Sequence, residues 1–361
     1  EDAIHEALST SNGWVLKRLW EATGSGYALG KAKCSVIDKV RASLEVHEGV
    51  VAEQCRRLSL QRQRFRDQNF LRWMPNLVQA TSKTKLSESL QANAVDFWPR
   101  AWSFPKLHVD AIWDQALESD VQALIVKPAS GSQGWGVSLA LSREDLHRQM
   151  GRLMEDEALV QEYVAHPLLL DGFKWDMRIY ALIIPCPEAE GVLSCFLARE
   201  GLARVCVEPY HWPESRNQHR LGLHLTNYSI SKLSPKYDHG GGPDDGLRGC
   251  KRPLMAVLQH LELQAATPLS VEMTWRSLSS LTRKTIDASL GQLWAASNGC
   301  RPGHFEGAMG ESFHLLGLDV LLDQTGKAWL LEVNTKPSLD FDEVRPLAVP
   351  QSRAEVNQIF L

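Results

Sequence analysis

Nowhere in the 361 residues is there an apolar run long enough to span a bilayer, and the acidic start EDAIHEAL lacks the order of a secretory signal. No Cys-x-x-Cys pair occurs either. The seven cysteines, Cys34, Cys55, Cys186, Cys195, Cys206, Cys250 and Cys300, are scattered and odd in number, which excludes a disulfide scaffold or zinc site and points to reduced thiols in the cytosol. Charge of one sign is not in excess: the formal net charge of −4 gives no basic footprint, so nucleic acid is not an expected partner. Repeats, low-complexity tracts and surpluses of Gly, Pro or Ser are missing as well. With 44% apolar and 23% charged residues, the composition is that of an ordinary globular protein, too long for one minimal core.

What is present is organised in three stretches, expected as lobes over 1–100, 101–166 and 167–361. In the first, the apolar spacing from Cys34 to Leu58 predicts an amphipathic helix. The Arg-rich run Cys55–Trp73 reads as its solvated continuation or as a patch for an anionic partner. Two prolines and four large aromatics in FWPRAWSFP (Phe97–Pro105) mark a lobe boundary. Then ALIVKP predicts a strand, GVSLAL the next, SREDLHRQMGRLM a helix capped by Ser142, and ALVQEYV a third strand. Farther on, FKWDMRIYALII, LSCFLARE and LARVCVEPY read as strands, RKTIDASLGQLWAAS as a helix, and Ser234–Gly249 as a mobile glycine-rich loop. The turn DQTGK predicts a hairpin that sets Asp319 beside Glu332.

Within WLLEVNTKPSL, Glu332 and Asn334 at i, i+2 share one face of a strand that is otherwise apolar. An unpaired acid is costly there, so Asp319, Glu332 and Asn334 form a candidate all-oxygen set for a hard cation such as Mg²⁺. Lys127 ends an apolar strand before PASGSQGWG, whose glycines let backbone N–H groups approach an anion; a plain hairpin turn is the alternative. Lys174, Asp176 and Arg178 share one strand face, either as part of a site or as the charged side of an edge strand. His224, in an apolar alternation, suits a supporting role better than proton transfer.

From about Arg66 onward the chain resembles the tubulin tyrosine ligase-like family of ATP-grasp ligases. The matching segments are KPASGSQGWG, VQEYVAHPLLLDGFKWDMRIY, REGLARVCVEPY, LHLTNYSISK and LLGLDVLLDQTGKAWLLEVNTKPSL. The last is shared by ATP-grasp enzymes at large, whereas HLTNYS with DGFKWDMRIY belongs to the tubulin-modifying branch. The resemblance implies an α/β (α+β) ATP-grasp fold with nucleotide between central and C-terminal sheets. It implies that Lys127 and Lys174 hold ATP phosphates, with Asp176 and the loop residues Gly131, Gln133 and Gly134 beside them. Gln161, Tyr163 and Val164 would read adenine. Arg178 and Arg204 would serve the γ-phosphate, acyl-phosphate or amino-acid carboxylate, Asn227 and His224 would complete the substrate side, and Asp319, Glu332 and Asn334 would hold Mg²⁺. Lys336 and His314 depart from the family's usual small or uncharged residue and Glu.

The activity implied is ATP-dependent addition of glutamate to glutamate side chains of the tubulin C-terminal tail. Glycylation or tyrosination by the same chemistry and a non-catalytic microtubule-binding module are the alternatives. Expected partners are tubulin or the microtubule and free glutamate, with neither nucleic acid nor membrane. The protein is expected to be a cytoplasmic monomer on the cytoskeleton, including the axoneme of cilia or flagella.

Overall fold

The computed structural model of the chain describes residues 80–129, 134–153, 157–185, 193–232, 234–240, 247–264, 269–297, 314–335 and 337. The helix expected over Cys34–Leu58 and the Arg-rich run lie outside the described residues, as does the centre of the loop Ser234–Gly249. Two antiparallel sheets with helices packed on them give the mixed α and β class expected.

The first sheet follows α1 (Lys83–Ala92) and comprises β1 (Ala101–Phe104), β2 (Leu124–Pro128), β3 (Ser138–Ala140) and β4 (Ala158–Glu162), in the order β1-β4-β2-β3. Alternation decides its faces. Leu124 and Val126 of β2, with Ala158 and Val160 of β4, pack on Ile112 and Ala116 of α2 (Val109–Glu118) and Leu146 of α3 (Arg143–Arg152). Lys127 and Gln161 therefore fall on the opposite face. Helix α3 starts as expected, with Ser142 Oγ accepting from the Asp145 N–H at 3.1 Å, a cap worth about 1 kcal/mol. The stretch Phe97–Pro105 contains β1, and its prolines sit outside the ladder, where an edge strand tolerates them.

The second sheet runs β7-β6-β5-β8-β9: β5 (Phe173–Pro185), β6 (Leu193–Pro209), β7 (Lys251–Pro253), β8 (His314–Leu322) and β9 (Ala328–Asn334). Between β6 and β7 lie the short helices α4 (Leu221–His224) and α5 (Tyr228–Ser231). Helices α6 (Leu254–Glu262) and α7 (Val271–Ser297) follow β7. Trp175, Met177, Ile179, Ala181 and Ile183 of β5 enter one core with Leu254, Val257 and Leu258 of α6, and Leu86, Trp98 and Leu159 join the same core. No helix among the described residues is long and apolar enough to cross a membrane.

One alternative falls away and two expectations change. Strand β5 is central and not an edge, so Lys174 and Asp176 are buried between neighbours and the Arg178 side chain is 11% exposed. The two strands expected from LSCFLARE and LARVCVEPY are one strand, β6, with an irregularity opposite Ile179–Ala181. There Glu200 turns back to accept from the N–H groups of Gly201 at 2.8 Å and Met255 at 3.2 Å, which lets a charged residue interrupt the alternation without ending the strand. Helix α7 begins at Val271, well before the expected segment.

Candidate active site

Glu332 faces the site because β9 carries a bulge. Asp319 pairs with Glu332 and Val320 with Leu330, so Leu331 is the extra residue. Ala328 and Leu330 point into the core, and strict alternation would send Glu332 and Asn334 after them. The bulge reverses the pleat, turning both to the face that carries Asp319. It also frees the Leu331 carbonyl, which accepts from Lys127 Nζ at 3.2 Å and ties the two sheets together.

Asp319 is bracketed by cations. Arg178 donates to it through Nε and, at 2.9 Å, through Nη2, and Arg204 Nη2 lies 2.9 Å away. Gly317 makes room for this: a Cβ there would fall 2.8 Å from Arg178 Cδ and 2.7 Å from Pro337 Cβ. Arg204 also forks onto Asp176 at 2.7 and 2.6 Å, and Thr226 Oγ1 donates to the same carboxylate at 2.5 Å. Burial alone would raise Asp319, but Arg178 and Arg204 outweigh it and hold the carboxyl well below the usual range. Burial, reinforced by the charge on Asp319, pushes Glu332 up.

Lys127 and Lys174 reach the site from different sheets. Lys127 Nζ donates to Gln161 Oε1 at 2.6 Å. Gln161, expected to read adenine, thus spends its amide inside the protein, with Nε2 3.5 Å from the Pro99 carbonyl. Its backbone is flanked by β1 and β2, and Tyr163 N–H donates to the Ala123 carbonyl at 2.9 Å, so only Val164 lies past these ladder contacts. Burial lowers both lysines to about 8; Glu332 opposes the shift at Lys127, and Cys206 and Asp176 oppose it at Lys174.

Lys174 is held by a relay of fixed polarity. Its Nζ donates to Tyr163 Oη at 2.8 Å, and Tyr163 Oη lies 3.0 Å from His224 Nδ1. His224 Nε2 faces Asn217 Oδ1 at 3.4 Å. The Asn217 amide cannot be reversed, because Oδ1 accepts from Glu214 N–H at 2.8 Å and Nδ2 donates to the Trp212 carbonyl at 2.7 Å. His224 therefore carries its proton on Nε2 and accepts from Tyr163 through Nδ1. Burial and the nearby Lys174 charge depress His224 to about 4, in keeping with a neutral ring that supports the lysine from behind.

Gly134, at φ +75°, packs on Asn227, whose Cγ would lie 3.0 Å from an added Cβ, so the glycine loop meets the segment that carries Asn227. Gly131, Gln133 and Lys336 lie outside the described residues. His314 is buried, with Nε2 3.0 Å from the Thr335 carbonyl. Lys83, at the start of α1, escaped the sequence reading: its Nζ lies 3.5 Å from the Ala129 carbonyl, at the mouth of the glycine loop, and its charge presses on Lys127.

No group of three or more His, Cys, Asp or Glu suited to a metal occurs among the described residues. The donor set is two carboxylates and an amide: Asn334 Nδ2 lies 3.3 Å from Glu332 Oε1 and 3.4 Å from Asp319 Oδ2. All three are hard oxygen ligands once the amide turns its oxygen inward. Burial and, after it, the like charge of Asp319 both work against a charged Glu332, a cost that a divalent cation held by these oxygens would offset, so the residues fit Mg²⁺.

Residues 55–346 match the tubulin-tyrosine ligase family. Tubulin polyglutamylase TTLL7 of Xenopus tropicalis is 33% identical over 267 residues, covering 73% of this chain and 28% of that protein. Tubulin polyglutamylase ttll-11 of Caenorhabditis elegans is 34% identical over 284 residues, 75% of this chain and 38% of its own length. A probable beta-tubulin polyglutamylase of Tetrahymena thermophila is 34% identical over 247 residues, 68% of this chain and 19% of its length. The chain thus spans well under half of these relatives. The family match takes in both sheets and every candidate residue above, and the chain belongs to the tubulin-tyrosine ligase family.

Proposed function

We propose that the chain is the catalytic core of an ATP-dependent ligase that adds glutamate to glutamate side chains of the tubulin C-terminal tail. The observation that carries this reading is the meeting of two buried lysines, the buried Arg204, the half-buried Arg178 and a two-carboxylate edge between two sheets. ATP lies between the sheets, with adenine toward Val164 and phosphates toward Lys127, Lys174 and the loop at Gly134. Mg²⁺, held by Asp319, Glu332 and Asn334, supplies charge neutralisation to those phosphates when bound. Arg178 and Arg204, fixed by Asp319 and Asp176, orient the γ-phosphate and the group that attacks it, and Asn227 closes the substrate side.

A carboxylate is a poor electrophile, and ATP remedies this. An acceptor carboxylate oxygen attacks the γ-phosphorus, the bond to the bridging oxygen breaks, and ADP leaves. The amine of free glutamate then attacks the acyl carbon, phosphate departs with the bonding pair, and the amine proton passes to phosphate or solvent. Positioning and electrostatics carry such a transfer. Glutamate is favoured over glycine or tyrosine because the relatives matched over most of this chain are polyglutamylases. Tubulin incubated with the protein, MgATP and a mixture of glutamate, glycine and tyrosine should gain glutamate masses only. Glycine or tyrosine masses would reassign the activity, and an unmodified tail would remove it.

Nucleotide binding should depend on pH through the buried lysines. Phosphates stabilise the charged form, so at pH 8 binding should take up protons, readable as a buffer-dependent calorimetric enthalpy. Affinity should fall as pH rises past about 8, where the free lysines lose their protons. Lys127→Ala should remove a charge-assisted contact of about 1.5 to 3 kcal/mol, roughly 10- to 150-fold in Kd. Unchanged affinity together with unchanged proton uptake would take Lys127 out of the pocket.

A further inference from the structure

Gln161 and Tyr163, both expected to read adenine, stand at i, i+2 at the end of β4, on the face turned away from the core of α2 and α3. Each meets one buried lysine. Gln161 Oε1 accepts from Lys127 Nζ at 2.6 Å, and Tyr163 Oη accepts from Lys174 Nζ at 2.8 Å. The lysines come from different sheets, so one strand end collects both. Lys127 has a second acceptor in the Leu331 carbonyl at 3.2 Å, whereas Tyr163 Oη is the one hydrogen-bond acceptor of Lys174 among the described residues. The Lys174 ammonium also stands 3.9 Å from the centroid of the same ring.

Tyr163 is itself firmly placed, 5% exposed and packed with Ala123, Ile125, Leu139 and Leu225. Its hydroxyl has two neighbours that can take its proton. One is His224 Nδ1 at 3.0 Å, and the other is the hydroxyl of Tyr210, which gives its own proton to the Ala165 carbonyl at 2.5 Å. Whichever of the two receives it, Tyr163 turns a lone pair toward the ammonium. A lysine has four rotatable bonds, and holding its charged end on a rigid ring before a ligand arrives removes part of the entropic cost of binding. A hydroxyl enclosed by Lys174, His224 and Tyr210 has nothing left to offer a base.

We propose that Tyr163 is a positioning residue that holds Lys174 for the phosphates, and that its side chain takes no part in reading the base. The proposal rests on the reading that MgATP lies between the two sheets, and it moves this side chain from the adenine to the phosphate end of that site.

The test titrates the full chain by calorimetry with three probes: MgATP, magnesium tripolyphosphate and adenosine. Tyr163→Phe keeps the packed ring and removes the acceptor. MgATP and tripolyphosphate should both weaken by about 10-fold or more, the scale of a hydrogen bond to a charged group, while adenosine stays within about twofold. In a Lys174→Met background the same change should cost the phosphate probes no more than about twofold, because its target is gone. A pH series adds a readout that general loosening would not move. The groups facing Lys174 are Asp176 on its own strand, Lys127 on β2, Cys206 on β6 and His224 on α4, and His224, depressed to about 4, stays neutral throughout. Burial pushes Lys174 down to about 8, and without the hydroxyl the charged form loses a partner and gives up its proton at lower pH still. The affinity lost in Tyr163→Phe should therefore be greater at about pH 8 than at about pH 6.5. If Tyr163→Phe does not fold, His224→Leu, which removes one recipient of the tyrosine proton, should weaken the phosphate probes by about threefold and lose that effect in Lys174→Met. The proposal is overturned if tripolyphosphate binds the soluble variants as it binds wild type, if adenosine weakens in step with MgATP, or if the loss persists undiminished without Lys174. Transfer to tubulin is scored separately, so a wild type that binds MgATP and modifies no tail would remove the ligase reading while the binding cycle still judges Tyr163.

Discussion

Glu332→Gln is expected to lower ligase turnover by about 10²- to 10³-fold, the scale on which losing one preorganised electrostatic partner acts. The change keeps the volume and one oxygen of the side chain and removes a negative charge from the oxygen set. Its effect on the fold should be small or favourable. In the free protein burial and the Asp319 charge both work against a charged Glu332, so removing that charge should cost the fold little. Stability and activity should therefore move independently. Turnover at saturating MgATP and a thermal melt of the same preparation are the measurements. Near wild-type turnover would remove Glu332 from the metal set, and a collapsed melt would mean that its charge holds the fold together.

This expectation was legible in the sequence only in part. The i, i+2 spacing of Glu332 and Asn334 and the DQTGK turn place the acids on paired strands, and strict alternation along β5 separates Lys174, Asp176 and Arg178 from the core residues between them. The bulge at Leu331 was hidden, because two adjacent leucines satisfy a core pattern in either register, and it alone sends Glu332 and Asn334 to the face that carries Asp319. The Gln161 contact was not legible because its partner, Lys127, lies on a strand brought alongside only by the sheet order. Lys83 and Asn217 were missed for a related reason: one starts a helix far from any motif, the other sits in a connection without periodicity, and their roles follow from what folds against them. The β6 strand was split in two because Arg199 and Glu200 break its alternation, and sequence alone does not show Glu200 bonding to the backbone ahead of α6.

Asp176→Ala should destabilise the protein by about 3 kcal/mol in urea or guanidinium unfolding, the low end of what breaking a buried ion pair costs. Asp176 is 2% exposed and receives three hydrogen bonds, two from Arg204 and one from Thr226. Removing it leaves a buried guanidinium with Asp319 alone, already shared with Arg178, and strands the Thr226 hydroxyl. A second substitution gives the sign of the argument. If the cost is that of an unpaired charge and not of lost packing, Asp176→Ala combined with Arg204→Met should be more stable than Asp176→Ala alone, because the second change removes the charge that the first leaves exposed to a low dielectric. Asp319 then keeps Arg178 as its partner, so no new orphan is created. A double variant less stable than the single would show that Arg204 supports the sheet by packing and by Asp319, and that Asp176 serves the site without holding the fold.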